Sequence, residues 1–246
     1  MSKIFITGSA DGLGQMASKL LIMQGHEVVI HARNANRAKD ALTKIPSAAS
    51  VLTADLSSID ETKLLAEKVN QLGVFDAVIH NVGVYQASAK EIFVVNTIAP
   101  YILTCLIQKP KRLIYLSSGM HLHGRPNLEH VKQNTDRISY SDSKLHIMMM
   151  TLAVARHWPG VYCNAVDPGW VPTKMGGRNA PDDLQKGYET QAWLAVSSDK
   201  QTQVSGRYFF HQKERSYNPM ADDGPSQEKL IDQLSVITGA SLPKEN

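Results

Sequence analysis

The chain is poor in features that would each have pointed to a different kind of protein. It has two cysteines in 246 residues, Cys105 and Cys163, and each stands alone on an apolar segment. That pattern predicts buried thiols in a reducing compartment and gives no framework for a disulfide or a metal site. Lys and Arg number 26 against 23 Asp and Glu, with a net charge of +3 and no basic block, so the footprint of a nucleic-acid binder is missing. No apolar run approaches the ~20 residues that span a bilayer. The start, MSKIFITGSADGLG, has only Ile4-Phe5-Ile6 before its glycines and does not read as a signal peptide. Repeats, low-complexity tracts and linkers are also missing. The expectation is a soluble, cytoplasmic, single domain over residues 1–246, and 43% hydrophobic residues suffice for a normal core.

What is present is alternation. Short β-branched runs at Lys3–Thr7, Glu27–His31, Ser50–Ala54, Phe75–His80, Arg112–Ser117, Val161–Asp167 and Gly206–Phe210 are separated by stretches of helical periodicity. From Gly12 to Gln24, for example, Met16, Ala17, Leu20, Leu21 and Met23 can share one apolar face before Gly25 stops the helix. Regular βα alternation predicts a Rossmann-type α/β fold, a doubly wound parallel sheet of about seven strands with helices on both faces. Its ligand crevice would lie at the carboxyl ends of the strands. The Pro/Gly-rich stretches Asp167–Pro181 and Asn218–Pro225 read as long loops within the domain, and Pro225 to Leu242 as a final amphipathic helix carrying Leu230, Ile231, Leu234 and Ile237.

Gly8-Ser9-Ala10-Asp11-Gly12-Leu13-Gly14 follows the first strand and opens the first helix. Glycines there let the backbone turn tightly and approach a pyrophosphate, whose charge the free N–H groups of a helix N-terminus stabilise. The spacing is a variant of the dinucleotide fingerprint, and its position makes a nucleotide site a better reading than an ordinary turn. At the end of the second strand, where an NAD site carries an acidic residue for the ribose, stands Ala32, followed by Arg33. The Arg33 fork suits a 2′-phosphate, although a solvated surface arginine has the same sequence. Asp11 weighs mildly against an extra phosphate. NADP(H) is favoured, with NAD(H) left open.

Tyr140 and Lys144, in the stretch YSDSK, are spaced to share one helix face. A phenol near pKa 10 is a poor base at neutrality, and an adjacent ammonium would stabilise the phenolate. With Thr7-Gly8, Gly12-Leu13-Gly14 and Tyr140-x-x-x-Lys144 in this order, the chain resembles a single-domain short-chain dehydrogenase/reductase over nearly its whole length, and more loosely the retinol-dehydrogenase-like members. The resemblance implies further roles. Asp55-Leu56 would contact adenine, and Asn81-Val82-Gly83 would form the turn after the fourth strand. Pro168-Gly169, Val171 and Thr173 would hold the nicotinamide end. The catalytic set would be Asn96, Ser118, Tyr140 and Lys144, with no metal. Tyr140 would be the acid/base, and Lys144 its electrostatic partner and a ribose ligand. Ser118 would orient the substrate oxygen. Asn96 would bend its helix and hold a relay water. The implied reaction is hydride transfer between nicotinamide and a carbonyl or alcohol of a small apolar substrate, by a homodimer or homotetramer.

Other readings stay open. A regulator could bind NADP(H) on this fold without turnover, but it would have no need of the catalytic set. A nucleotide-sugar epimerase or dehydratase would need a different glycine spacing and a larger C-terminal domain. Gly83 to Asn96 is shorter than the family's usual stretch, and Ser118 to Tyr140 is longer and carries His121 and His123. Those two histidines read as a solvated loop at the rim, with substrate contact the alternative. Met148-Met149-Met150 read as core or dimer packing. A lid around residues 174–193 would include Met175, Tyr188 and Trp193.

Overall fold

The computed structural model describes residues 1–133 and 135–243. Its strands are β1 (Lys3–Ile6), β2 (Glu27–Ala32), β3 (Ser50–Thr53), β4 (Ala77–His80), β5 (Arg112–Leu116), β6 (Tyr162–Asp167), β7 (Arg207–Phe210) and β8 (Lys213–Arg215). They form one sheet in the order β3-β2-β1-β4-β5-β6-β7-β8, parallel except for β8. The sheet therefore has one strand more than the sequence predicts. β8 is a short run of exposed charged residues with no apolar face to read. The turn before it, His211-Gln212, has φ of 49° and 61°, the left-handed geometry of a tight hairpin, without the glycine or asparagine that usually signals one.

The helices are α1 (Gly12–Met23), α2 (Ala35–Lys44), α3 (Ile59–Gln71), α4 (Ala89–Phe93), α5 (Ala99–Leu106), α6 (Leu128–Gln133), α7 (Tyr140–His157), α8 (Leu184–Val196) and α9 (Gly224–Thr238). Strand side chains alternate between two cores, as a sheet covered on both faces requires. Ile4, Ile6, Ile30, Ile79, Ile114 and Val166 pack with Leu21 of α1, Ala41 of α2 and Ala192 of α8. Phe5, Val29, Val78, Tyr115 and Ala165 pack with Leu65 of α3, Ile102 of α5, Met148 of α7 and Leu234 of α9. Full burial of each large side chain contributes roughly 1.5–3 kcal/mol. The methionine run on α7 lies wholly in this second core. Two helix faces differ from expectation. Met23 is 78% exposed and the inner face of α1 is Gly14, Ala17, Ser18 and Leu21, while on α9 Ile237 sits at the surface. α9 stops at Thr238 because Gly239 takes a left-handed cap, φ 68°.

The chain runs from β1 outward through β2 to β3, then crosses to β4 on the other side of β1. That reversal opens a crevice at the strand carboxyl ends, and the motif residues gather there. Among the described residues one continuous helical stretch, Ala89–Leu106, is long and apolar enough to cross a membrane, but 72% of it is buried inside the protein. It is a core helix.

Candidate active site

A cleft of about 830 Å³ runs from the glycine turn to Tyr140. Of the residues singled out from sequence, Gly8, Asp11, Gly12, Leu13, Arg33, Asp55, Leu56, Asn81, Val82, Gly83, Tyr140, Lys144, Pro168 and Thr173 line it. The glycines of the turn have different jobs. A Cβ on Gly14 would lie 2.4 Å from Asn81 Nδ2 and 2.7 Å from the Gly8 carbonyl, so this glycine lets α1 pack on the turn after β4. Gly12 has φ 55° and nothing within 4 Å of a notional Cβ; it faces open cleft. Ser9 does not line the cleft. It is fully buried, its hydroxyl donates to the Ile6 carbonyl and accepts from the His31 amide, and its own N–H is bonded to the His31 carbonyl. Its work is to fold the turn.

His31, which the sequence reading passed over, ties this end together. Nδ1 accepts from the Gly8 amide at 3.0 Å and Nε2 lies 3.0 Å from the Ala54 carbonyl, so the neutral ring carries its proton on Nε2. Burial pushes its pKa down to about 4. Arg33 pairs with Asp55, Nε and Nη2 each 2.9 Å from one carboxylate oxygen. Asp11 caps α1 by accepting from the Gly12 amide, and is met by Lys174 at 2.5 Å and Arg37 at 3.3 Å. The Lys174 bond is the main cause of its carboxyl lying below the usual range. The charge that weighed against a phosphate is thus already neutralised by two cations. Arg37 and Lys174 were also missed. Arg37 could have been found as a second arginine one helical turn beyond Arg33; Lys174 has no signal beyond following Thr173.

At the other end α7 presents Tyr140 and Lys144. The helix starts where it does because Ser139 and Asp142 form a reciprocal capping box, and Asp142 also accepts from Arg125 N–H and the Asn127 side chain. The Lys144 ammonium is buried, donates to the Leu116 carbonyl at 2.8 Å and lies 5.5 Å from the Tyr140 ring centre. Burial lowers its pKa to about 8, and the Asp167 carboxylate opposes that. Burial pushes the Tyr140 phenol up to about 12; the nearby Ser118 hydroxyl opposes that rise, and Asp167 and Tyr85 add to it. Of the serine pair, Ser117 lines the cleft but is buried with its hydroxyl donating to the Lys144 carbonyl, while the Ser118 hydroxyl accepts from the Met120 amide and neighbours the Tyr140 phenol. Asn96 lies in a π-helical turn, Val94–Ile98, joining α4 to α5, which supplies the bend expected of it. Its amide takes the Val84 N–H at 2.8 Å and donates to the Val84 carbonyl at 2.9 Å and to Ser143 Oγ at 3.1 Å. Across Gly83, a notional Cβ lies 3.3 Å from Lys144 Nζ and 3.6 Å from Asn96 Oδ1.

Gly169 and Val171 shape the neighbouring loop without lining the cleft. The Gly169 amide donates to Asp167, and Val171 accepts from Thr173 at 2.8 Å. Two expectations are corrected here. His121 belongs neither to a solvated loop nor to the substrate side: it is fully buried, Nδ1 donates to the Ser118 carbonyl, and Nε2 accepts from the Asn218 amide. It anchors the segment beside Ser118, while His123 is exposed. Trp193 packs edge-on to Phe209 with ring centres 5.8 Å apart, under the sheet, because α8 is a core helix. Met175 does line the cleft; Tyr188 on α8 does not.

The polar groups left over fit a dinucleotide. The Asn81 side chain donates to the Thr7 and Gly8 carbonyls, yet its Oδ1 is buried without a partner, and Gly12 leaves room for a group against the N-terminus of α1. Residues 2–109 match the family model for short chain dehydrogenase. An oxidoreductase of Emericella nidulans is 44% identical over 99% of both chains. Mouse retinol dehydrogenase 14 is 27% identical, covering 96% of this chain and 85% of its own. The solved complex of RhlG with NADP from Pseudomonas aeruginosa superposes with a TM-score of 0.70 at 18% identity, covering 85% of this chain and 94% of its own. The chain is therefore an oxidoreductase of the short-chain dehydrogenase/reductase family.

Proposed function

We propose that the protein is an NADP(H)-dependent carbonyl reductase in which Tyr140 is the acid/base. The observation that carries the reading is that Tyr140 and Lys144 line one cleft with the Lys144 ammonium 5.5 Å from the Tyr140 ring centre, and Ser118 neighbours the phenol. When bound, the dinucleotide supplies the hydride. Arg33 and Arg37 are the residues to hold a 2′-phosphate; Ala32 offers the ribose no carboxylate there, and the Pseudomonas relative of the same fold was solved with NADP. Asp55 competes for Arg33 and Asp11 for Arg37, so both side chains are held near the site before a phosphate arrives. Lys144 would hold the ribose hydroxyls and Thr173 the carboxamide end.

In the reducing direction the paired hydroxyls of Ser118 and Tyr140 receive the substrate oxygen. Ser118 orients it, and Tyr140, a neutral phenol up to about 12, gives it a proton. Lys144 steadies the phenolate left behind. Asn96 fixes the Val84 backbone that borders this corner, and the expected water would bridge it to Lys144 across Gly83. Purified protein should oxidise NADPH faster than NADH with a panel of aldehydes, ketones and quinones. Equal binding of NADPH with no turnover across the panel would instead favour a cofactor sensor.

A further inference from the structure

The cleft segregates its charge. Asp11, Arg33, Arg37, Asp55, Glu91 and Lys174 line the part where the dinucleotide phosphates and adenine belong; Glu91 shares a second small hollow with Arg33. Apart from Lys144, which faces the Tyr140 ring, the rest of the lining includes the apolar side chains Val84, Val95, Pro172 and Met175. The carboxylate of Asp167 at this end already accepts from the Gly169 amide at 2.9 Å and the Tyr208 hydroxyl at 3.1 Å. Here three large apolar side chains stay open to solvent. Tyr85 is 43% exposed, Met175 49% and Met120 38%. Met120 is held next to Ser118, its amide donating to Ser118 Oγ at 3.2 Å. Tyr85 stands edge-on to Tyr140, ring centres 4.8 Å apart at 76°. The Asn96 amide bonds both polar atoms of the adjacent Val84 backbone, which fixes where the Tyr85 side chain leaves the chain.

Resting on the reductase reading, we infer that Tyr85, with the thioethers of Met120 and Met175, forms the substrate wall for a flat aryl ketone. A phenol ring edge-on to Tyr140 and two polarisable sulfurs favour an aromatic surface over a branched or charged one. They carry no charge to pair with a substrate cation or carboxylate. Because Tyr85 meets Tyr140 edge-on, a flat ring lying on Tyr85 can keep an in-plane carbonyl directed at the Tyr140 and Ser118 hydroxyls. The carbonyl carbon gains a hydride from NADPH, its C=O π bond opens onto oxygen, and that oxygen takes the Tyr140 proton, leaving NADP+ and the secondary alcohol.

The test compares 2-acetylnaphthalene with its ring-saturated counterpart 2-acetyldecalin, which has the same carbon skeleton without flatness. Taking the ratio of their kcat/KM values in each protein cancels their intrinsic reactivity. Tyr85→Leu should lower the aryl preference by roughly tenfold. Tyr85→Phe should largely keep it, and Met175→Ala should lower it less. Affinity for NADPH, followed by its fluorescence, checks that each variant is folded. The same two ketones are also titrated against the NADPH-bound proteins by quenching of that fluorescence. A binding preference that falls in Tyr85→Leu without any turnover would sink the reductase reading and leave the wall standing. An aryl preference unchanged in Tyr85→Leu, in turnover or in binding, overturns the wall.

Discussion

Lys144→Met should make the cofactor-free protein more stable while removing its activity. The Lys144 ammonium is buried and donates to a single carbonyl among the bonds described, that of Leu116. Its pKa falls from 10.5 to about 8 because burial disfavours the charge. Each tenfold change in proton affinity is worth about 1.4 kcal/mol, so keeping this lysine protonated in the fold costs about 3 kcal/mol at neutral pH. Methionine has nearly the same shape and no charge. Leaving the Leu116 carbonyl without its donor takes back about 1 kcal/mol. A net gain of about 2 kcal/mol would raise the melting temperature by roughly 4–8 °C in a chain of this size. The sign follows from linkage: between the folded and unfolded pKa values the unfolded chain binds more protons, so wild-type stability rises with pH through that window. The advantage of Lys144→Met is therefore full below about pH 8 and vanishes toward 10.5. Thermal unfolding of both proteins at pH 7 and pH 10 reads it directly. A variant no more stable than wild type at pH 7, or an advantage that ignores pH, would refute the reasoning.

Three further outcomes follow from the same geometry. Gly14→Ala should cost roughly 1–3 kcal/mol of stability, since its Cβ would overlap Asn81 and the Gly8 carbonyl; Gly12→Ala, in open space but at φ 55°, should cost about 1 kcal/mol of backbone strain and in addition weaken dinucleotide binding, which calorimetric unfolding and an NADPH titration read separately. Arg33→Ala and Arg37→Ala should each weaken NADPH binding by roughly ten- to hundredfold and leave NADH binding nearly unchanged, as judged by fluorescence titration. His31 and His80 are buried, with pKa values lowered from 6.5 to about 4 and about 3, and burial lowers His121 and His146 too. A buried base with a depressed pKa loses the fold stability as pH drops below its unfolded value, so the melting temperature should fall steadily from about pH 6.5 downward; a flat profile to pH 5 would contradict their neutral burial.

The fold was legible because its signals are local and repeated. Each parallel strand is a short β-branched run, and the glycine turn and the Tyr140–Lys144 pair sit on helix starts. β8 was invisible since its hairpin uses His211 and Gln212 in left-handed geometry without turn residues, and its three charged side chains have no inner face. The cleft was legible where a motif sits at a strand end or helix start, as with Gly12, Asn81, Tyr140 and Lys144, which all line it. It was misread where a residue's neighbours come from distant chain. Ser9 looked like a cofactor contact but faces Ile6 and His31. His121 looked like solvated loop, yet its second nitrogen meets Asn218. Trp193 looked like lid because nothing local shows that α8 packs beneath β7. Asp11 looked like an obstacle to phosphate, and only the fold brings Arg37 and Lys174 onto it.

The account stands on Tyr140 as the proton donor. Tyr140→Phe removes one oxygen atom and leaves Arg33, Arg37, Lys144 and the glycine turn intact. With an aldehyde or ketone that wild type reduces with NADPH, the account predicts turnover reduced by at least about a hundredfold at unchanged NADPH affinity. Turnover within a few-fold of wild type would contradict it.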